Sequence, residues 1–253
     1  MYNNRFKTKP HIGAQLIPSH PLANGLILSY LFNEKGIVSS PIYDKSLNNR
    51  NTTLYNGAFV AEGAQHTANN QAIAYLADAS WQSPSKMTVV VKMKRVGSWV
   101  NYDSLLAKID SGTWAKGYWL YWYSNQIRFA FGGYTKYAYA AYTATDTFTQ
   151  FVGVYDGTNA RIFIDGVEET PFATTQVISN DALAIGAFGL FTYPAYGVYE
   201  YVYMYNRVLT LAEILSLKEN PYQMFQQVKN PVFYSFVSAG GGVLPTTFLT
   251  MVD

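Results

Sequence analysis

The sequence predicts an all-β protein, and three observations carry that prediction. Charged residues make up only 13% of the chain against 17% aromatics, where an average domain has ~25% charged residues. Aromatic and β-branched side chains suit a pleated, half-buried surface, whereas helix-favouring Ala-Glu-Lys-Leu runs are scarce. Residues 150–169, QFVGVYDGTNARIFIDGVEE, read as strand, turn, strand, turn. Phe151 to Tyr155 and Ala160 to Ile164 are the strands, and Asp156-Gly157-Thr158-Asn159 and Asp165-Gly166 are the turns. A connection this short cannot make a parallel crossover, so the pair is antiparallel. Finally, one segment alone has helix-start chemistry: Thr210-Leu211-Ala212-Glu213 has capping-box spacing.

Taken in order, residues 1–24 form an arm with Pro10, Pro18 and Pro21 and no sustained period, expected to lie extended along the domain or a neighbour. Leu26 to Phe32 is a strand buried on both faces, ended by Asn33-Glu34-Lys35-Gly36. A polar loop, Tyr43 to Asn51, leads to a short strand at Thr52 to Leu54 and an Asn56-Gly57 turn. Met87 to Met93 and Ser104 to Lys108 are strands. Gly117 to Tyr123 and Gln126 to Phe131 form a hairpin about Ser124-Asn125, with Ile127, Phe129 and Phe131 on one face. Tyr137 to Tyr142 follows, then the 150–169 hairpin, then Leu183 to Gly186. In Tyr199 to Arg207, Val202 and Met204 should point inward and Tyr201, Tyr203 and Tyr205 outward. The helix after Thr210 is expected to bury Leu211, Ile214 and Leu215. Residues 218–253 are expected to lie outside the sandwich. Their apolar β-material, Val232 to Val237 and Leu244 to Val252, would pair with another subunit or fold back on the arm.

Composition excludes several function classes. A net charge of +2 is too small for a nucleic-acid or anionic-membrane partner. There is no Cys and hence no disulfide framework. The N-terminal MYNNRFKTKPHIG has no apolar signal-peptide core, and no run of ~18 apolar residues exists to span a membrane. The low charge leaves two readings open: a surface that largely meets other protein, as in a homo-oligomer, or an ordinary polar surface.

Several segments resemble the concanavalin A-like (laminin-G-like) jelly-roll domains. The 150–169 hairpin resembles that family's "vydGt..rlyvDG", and GLILSYLFNEKG and IYDKSLNNRNTTLYNGAF resemble its opening strand and loop. YEYVYMYNR resembles its closing strand. HPLANGL before the first strand and NPYQMF after the helix look like the flanks of such domains in bacteriophage virion proteins. The resemblance implies a two-sheet antiparallel β-sandwich over residues 25–217, with one short C-terminal helix and extended N- and C-terminal arms. It also implies a virion surface protein, a capsid decoration or fibre subunit, contacting other capsid or tail proteins and a host-surface glycan. A stand-alone carbohydrate-binding module is the alternative. Many relatives hold a structural Ca²⁺ where the first loops meet the final strand. The matching positions are Asn33, Glu34, Asp44, Asn48 and Glu200, two of them departing from the family's Asp.

Relatives include glucan hydrolases, whose carboxylates alternate on one strand as E-x-D-x-E. No such triplet occurs here. Glu168 and Glu169 are adjacent and would face opposite ways, and Glu200 has no acidic residue two positions away. His11, His20 and His66 lack metal-ligand spacing, and no G-x-S-x-G elbow exists. The expectation is a protein without catalysis. Sugars stack on flat aromatic faces. With Leu120 facing the core, Trp119, Tyr121 and Tyr123 would form an outward row and Tyr137 and Tyr139 a second. Such rows serve either a sugar platform or packing against another layer.

Overall fold

A computed structural model of the chain describes residues 8–34, 41–55, 57–66, 72–77, 85–110, 112–143, 145–189 and 192–226. The strands are β1 (Gln15–Leu16), β2 (Leu26–Tyr30), β3 (Pro41–Ile42), β4 (Thr52–Thr53), β5 (Ala58–Val60), β6 (Gly63–Gln65) and β7 (Ala74–Leu76). The longer β8 (Met87–Arg95), β9 (Ser104–Ile109), β10 (Gly117–Tyr123), β11 (Gln126–Phe131), β12 (Tyr137–Ala141), β13 (Thr149–Tyr155) and β14 (Asn159–Ile164) follow. The chain continues through β15 (Val167–Glu168), β16 (Phe172–Ala173), β17 (Leu183–Ile185), β18 (Gly197–Tyr205), helix α1 (Leu211–Glu219) and β19 (Phe225–Gln226).

Two antiparallel sheets face each other. The front sheet runs β12-β11-β10-β9-β17-β7, and the back sheet β15-β14-β13-β8-β18-β6-β5. β2 joins the back sheet on the β6 side of β18, pairing Tyr30 with Val202 and Leu28 with Met204. Period-2 alternation puts Leu28, Val89, Val91, Phe151, Ile162, Val202 and Met204 of the back sheet into the space between the sheets. They meet Leu106, Leu120, Ile127, Phe129, Phe131 and Ile185 of the front sheet. Phe131 stacks on Tyr155 across this space at 3.8 Å. Gly153 is required there, because a Cβ would overlap the Phe129 ring.

The 150–169 hairpin is present with the expected strands, and its register sets Phe151 opposite Ile164 and Tyr155 opposite Ala160. Its Asp165-Gly166 turn has φ of +49° and +82°, and the Ser124-Asn125 turn +49° and +60°. Positive φ at both central residues matches the right-handed strand twist.

The outer face of the back sheet carries a second core. Tyr201, Tyr203 and Tyr205 do point away from the first core, but they are fully buried with Val90, Val152, Val154 and Phe163. Their cover is Ala14, Leu16 and Leu22 of the arm, Ile214 and Leu217 of α1, and Tyr222, Met224 and Phe225 beyond it. Tyr203 Oη donates to Pro221 O at 2.9 Å, and Gln150 Nε2 donates to Tyr201 Oη at 3.1 Å, so the buried hydroxyls are matched. β1 pairs with β19, tying arm to tail.

Two expectations are corrected here. The helix buries Ile214 and Leu217, while Leu211 and Leu215 stay 49% and 41% exposed. The back sheet meets α1 along Ile214 and Leu217, so Leu211 and Leu215 lie off the contact line. The boundary after residue 217 also fails, since it cuts α1 and strips Tyr222, Met224 and Phe225 from the second core. The strand material beyond Gln226 lies outside the described residues.

Candidate functional site

The outer face of the front sheet is built from alternate residues of β9 to β12. On β10, Tyr118 and Leu120 point into the first core, so Trp119, Tyr121 and Tyr123 occupy the opposite face. Trp119 has Ala107 on one neighbouring strand and Ala130 on the other, two small residues that leave room for the indole. It stacks on Tyr121 at 4.1 Å, and its Nε1 donates to Ser104 Oγ at 2.7 Å.

This row is outward but covered, which corrects the expected platform. Trp119 and Tyr121 are both 0% exposed. Tyr102 lies over them with nearly parallel rings, 5.9 Å from Trp119 and 6.2 Å from Tyr121. Trp114 and Phe188 close on Trp119 from the sides, and Tyr193 packs on Tyr102 and Trp114. Loops supply this cover, and it is held by backbone geometry. Tyr102 has φ +76°, its N–H donates to Trp122 O at 2.9 Å, and Ser104 N–H donates to Tyr193 O at 2.8 Å. Asp103 accepts from Val100 N–H at 2.8 Å, and burial pushes its carboxyl up to about 7.

The open part of the face lies at β11 and β12. Tyr139 is 48% exposed and Tyr134 38%, with Tyr123 and Tyr137 half-buried. Between the last two sits Arg128, its guanidinium carbon 4.2 Å from the Tyr123 ring centre and 4.3 Å from that of Tyr137. Arg128 Nε and Nη2 both donate to Gln126 Oε1, at 2.9 and 2.7 Å. Phe172 stacks on Tyr137 at 6.5 Å and extends the surface. The five residues expected from sequence therefore share one face, but Trp119 and Tyr121 form its buried foundation. Arg128 was legible from alternation along β11. Tyr102, Trp114, Phe188 and Tyr193 come from connections whose path no local pattern specifies.

Of the residues expected to hold calcium, Asp44, Asn48 and Glu200 are engaged by protein groups. Asp44 accepts from Ser29 N, Ser46 N, Ser46 Oγ and Arg50 N, which saturates both oxygens. Asn48 turns its amide N–H groups to Ile27 O and Ser46 Oγ. Glu200 accepts from Tyr222 Oη at 2.6 Å and pairs with Lys92. Asn33 Oδ1 and Glu34 Oε2 are buried without partners among the described residues, and Glu34 Oε1 accepts from Tyr43 N–H. Positive charge reaches these carboxylates from Lys45 in the loop, Lys92 on β8 and Lys9 in the arm. Lys9 Nζ donates to Glu62 O at 2.8 Å and Phe32 O at 3.4 Å. Burial pushes its amine down to about 8, against the opposing pull of Glu200, Glu34 and Glu62. Among the described residues no cluster of His, Cys, Asp and Glu is arranged for a metal.

The sequence matches the family model of the concanavalin A-like lectin/glucanases superfamily over residues 53–215. No curated protein matches it. Among solved structures, it is similar to domain 4 of AbnA, a GH43 extracellular arabinanase from Geobacillus stearothermophilus in complex with arabinotriose. That match has a TM-score of 0.55 at 17% identity and covers 76% of this chain and 98% of that one. The binding domain of Paraclostridial Mosquitocidal Protein 1 gives a TM-score of 0.54 at 14% identity, covering 78% of this chain and 52% of that chain. A Trypanosoma rangeli sialidase gives 0.56 at 16% identity, covering 85% of this chain but 37% of the sialidase.

Proposed function

Because this chain belongs to the concanavalin A-like lectin/glucanase superfamily, we propose that it is a non-enzymatic carbohydrate-binding domain. Its binding surface is the open part of the front sheet, at Tyr123, Arg128, Tyr137 and Tyr139. The observation that carries this reading is exposed Tyr139 beside half-buried Tyr123 and Tyr137, resting on a fully buried aromatic layer. Such a surface offers flat faces to sugar C–H groups without ordering cost. The arabinanase domain with this fold was solved with arabinotriose. Paired-carboxylate hydrolysis is not part of the proposal, because Glu200 is committed to Tyr222 and Lys92. In a glycan array followed by calorimetry, Tyr139→Ala and Tyr137→Ala should each weaken binding by about tenfold with an unchanged melting temperature. Affinity that ignores both substitutions would sink the assignment.

The virion-surface role rests on the HPLANGL and NPYQMF flanks. Deleting residues 227–253 should then abolish attachment to capsid or tail proteins while the sandwich still folds. A chain that attaches normally without them argues for the stand-alone module. The domain is also proposed to need no calcium, since Lys9, Lys45 and Lys92 already bring positive charge to these carboxylates. Chelator should leave the melting temperature unchanged within about 1 °C, and a rise of several degrees with added calcium would refute this.

A further inference from the structure

Resting on that carbohydrate-binding reading, we infer that the glycan taken by this face is acidic, its carboxylate paired with Arg128. The argument starts from what holds the guanidinium. It is clamped between two aromatic rings, 4.2 and 4.3 Å from their centres, so its plane and position are set before any ligand arrives. Two of its N–H donors go to one acceptor, the side-chain oxygen of Gln126. That acceptor is a neutral amide, so it orients the group without cancelling its charge. Among the described residues no carboxylate comes within ion-pairing distance of Arg128, although Arg161 and Arg207 each have one. A half-buried cation whose contacts are an amide, a phenol oxygen and two rings is an incomplete ion pair.

The neighbours fit this assignment. Tyr121 Oη lies beside the guanidinium, held in the buried layer, and Tyr139 stands directly across from Arg128 on β12, exposed. A sugar ring stacked at Tyr139 would bring a ring carboxylate within reach of the donors that Gln126 leaves unused. Arginine's planar fork matches a carboxylate in two-point fashion, which a neutral hydroxyl cannot reproduce. The ligand class is therefore a polysaccharide of uronic-acid residues.

The test compares polymers that differ only in that charge: polygalacturonate, alginate and hyaluronan, each against its methyl ester, with the full chain in calorimetry. Wild type should bind at least one acid form roughly ten- to a hundredfold tighter than its ester, the worth of charge-assisted hydrogen bonds. Raising NaCl from about 50 to about 300 mM should erode that preference. Gln126→Glu is the deciding variant. It keeps the size, the rings and Arg128, but supplies an internal carboxylate, so the preference should vanish while the fold is retained. Arg128→Met should do the same, and Arg128→Lys should keep only part of it. Equal affinity for acid and ester, or a preference that survives Gln126→Glu, overturns the inference and leaves carbohydrate binding intact. Failure to bind any of the six polymers overturns the inference, and the glycan array then decides the carbohydrate-binding reading by itself.

Discussion

At the scale of single residues, the site depends on what each side chain has for neighbours. Trp119 is fully buried because Ala107 and Ala130 give it space and Tyr102 covers it. Asp103, beside Tyr102, is the group that links this cover to pH. Burial raises its carboxyl to about 7 from an ordinary 3.8, and its Oδ1 has no partner among the described residues. A raised acid contributes stability that is present below the unfolded value and lost as pH rises through the folded one. Asp103→Asn, which still accepts from Val100 N–H, should therefore gain on wild type as pH rises. The difference in melting temperature should be larger at about pH 8 than at about pH 4. Equal differences at both would mean that Asp103 is not held neutral by its surroundings. The outer position of Arg128 was readable from alternation with Ile127 and Phe129. That no acid pairs with it among the described residues was not, because this depends on strands paired through space.

At the scale of elements, turn chemistry and helix capping were readable locally, whereas the helix face was not. Thr210 and Glu213 form the capping box that their spacing implies. Leu211 and Leu215 nonetheless stay half-exposed, because the direction from which the back sheet meets α1 is a tertiary fact. Leu215 has a different task, filling the space above Gly166 at the hairpin turn. A Cβ at residue 166 would overlap Leu215 Cδ2 at a φ of +82°. Gly166→Ala should thus cost about 1–3 kcal/mol in urea unfolding, and Leu215→Ala should recover part of that loss. If Gly166→Ala is neutral, the turn and the helix are not in register as described. Ile214→Ala should cost about 2–5 kcal/mol, well above Leu211→Ala at the exposed face.

At the scale of the whole molecule, the sandwich is wrapped on both sides. The arm, α1 and the segment to Gln226 cover the back sheet, and aromatic loops cover the front sheet. This leaves many tyrosines with buried hydroxyls. Burial holds Tyr30, Tyr118, Tyr201 and Tyr205 well above the ordinary phenol value of 10.0. Each contributes stability that is intact below that value and lost as pH rises above it, at roughly 1.4 kcal/mol per pH unit per group. The domain should unfold cooperatively above about pH 10, with these phenols ionising together in the absorbance trace. Gradual ionisation of a folded protein would contradict their burial.

The amino-acid sequence by itself determined the longer strands, the hairpin turns, the cap of the helix and the alternation that sends Leu120 inward and Trp119 outward. These follow from periods of two residues and from turn conformations that operate over a few positions. Only the tertiary structure decided that the outward row at Trp119 and Tyr121 is roofed over, and that Tyr201, Tyr203 and Tyr205 lie under the arm and tail. It alone left Arg128 between two rings with no carboxylate paired to it among the described residues. Alternation assigns a side chain to one face of a sheet. What then covers that face comes from loops and termini distant in sequence, and no local pattern encodes where they settle.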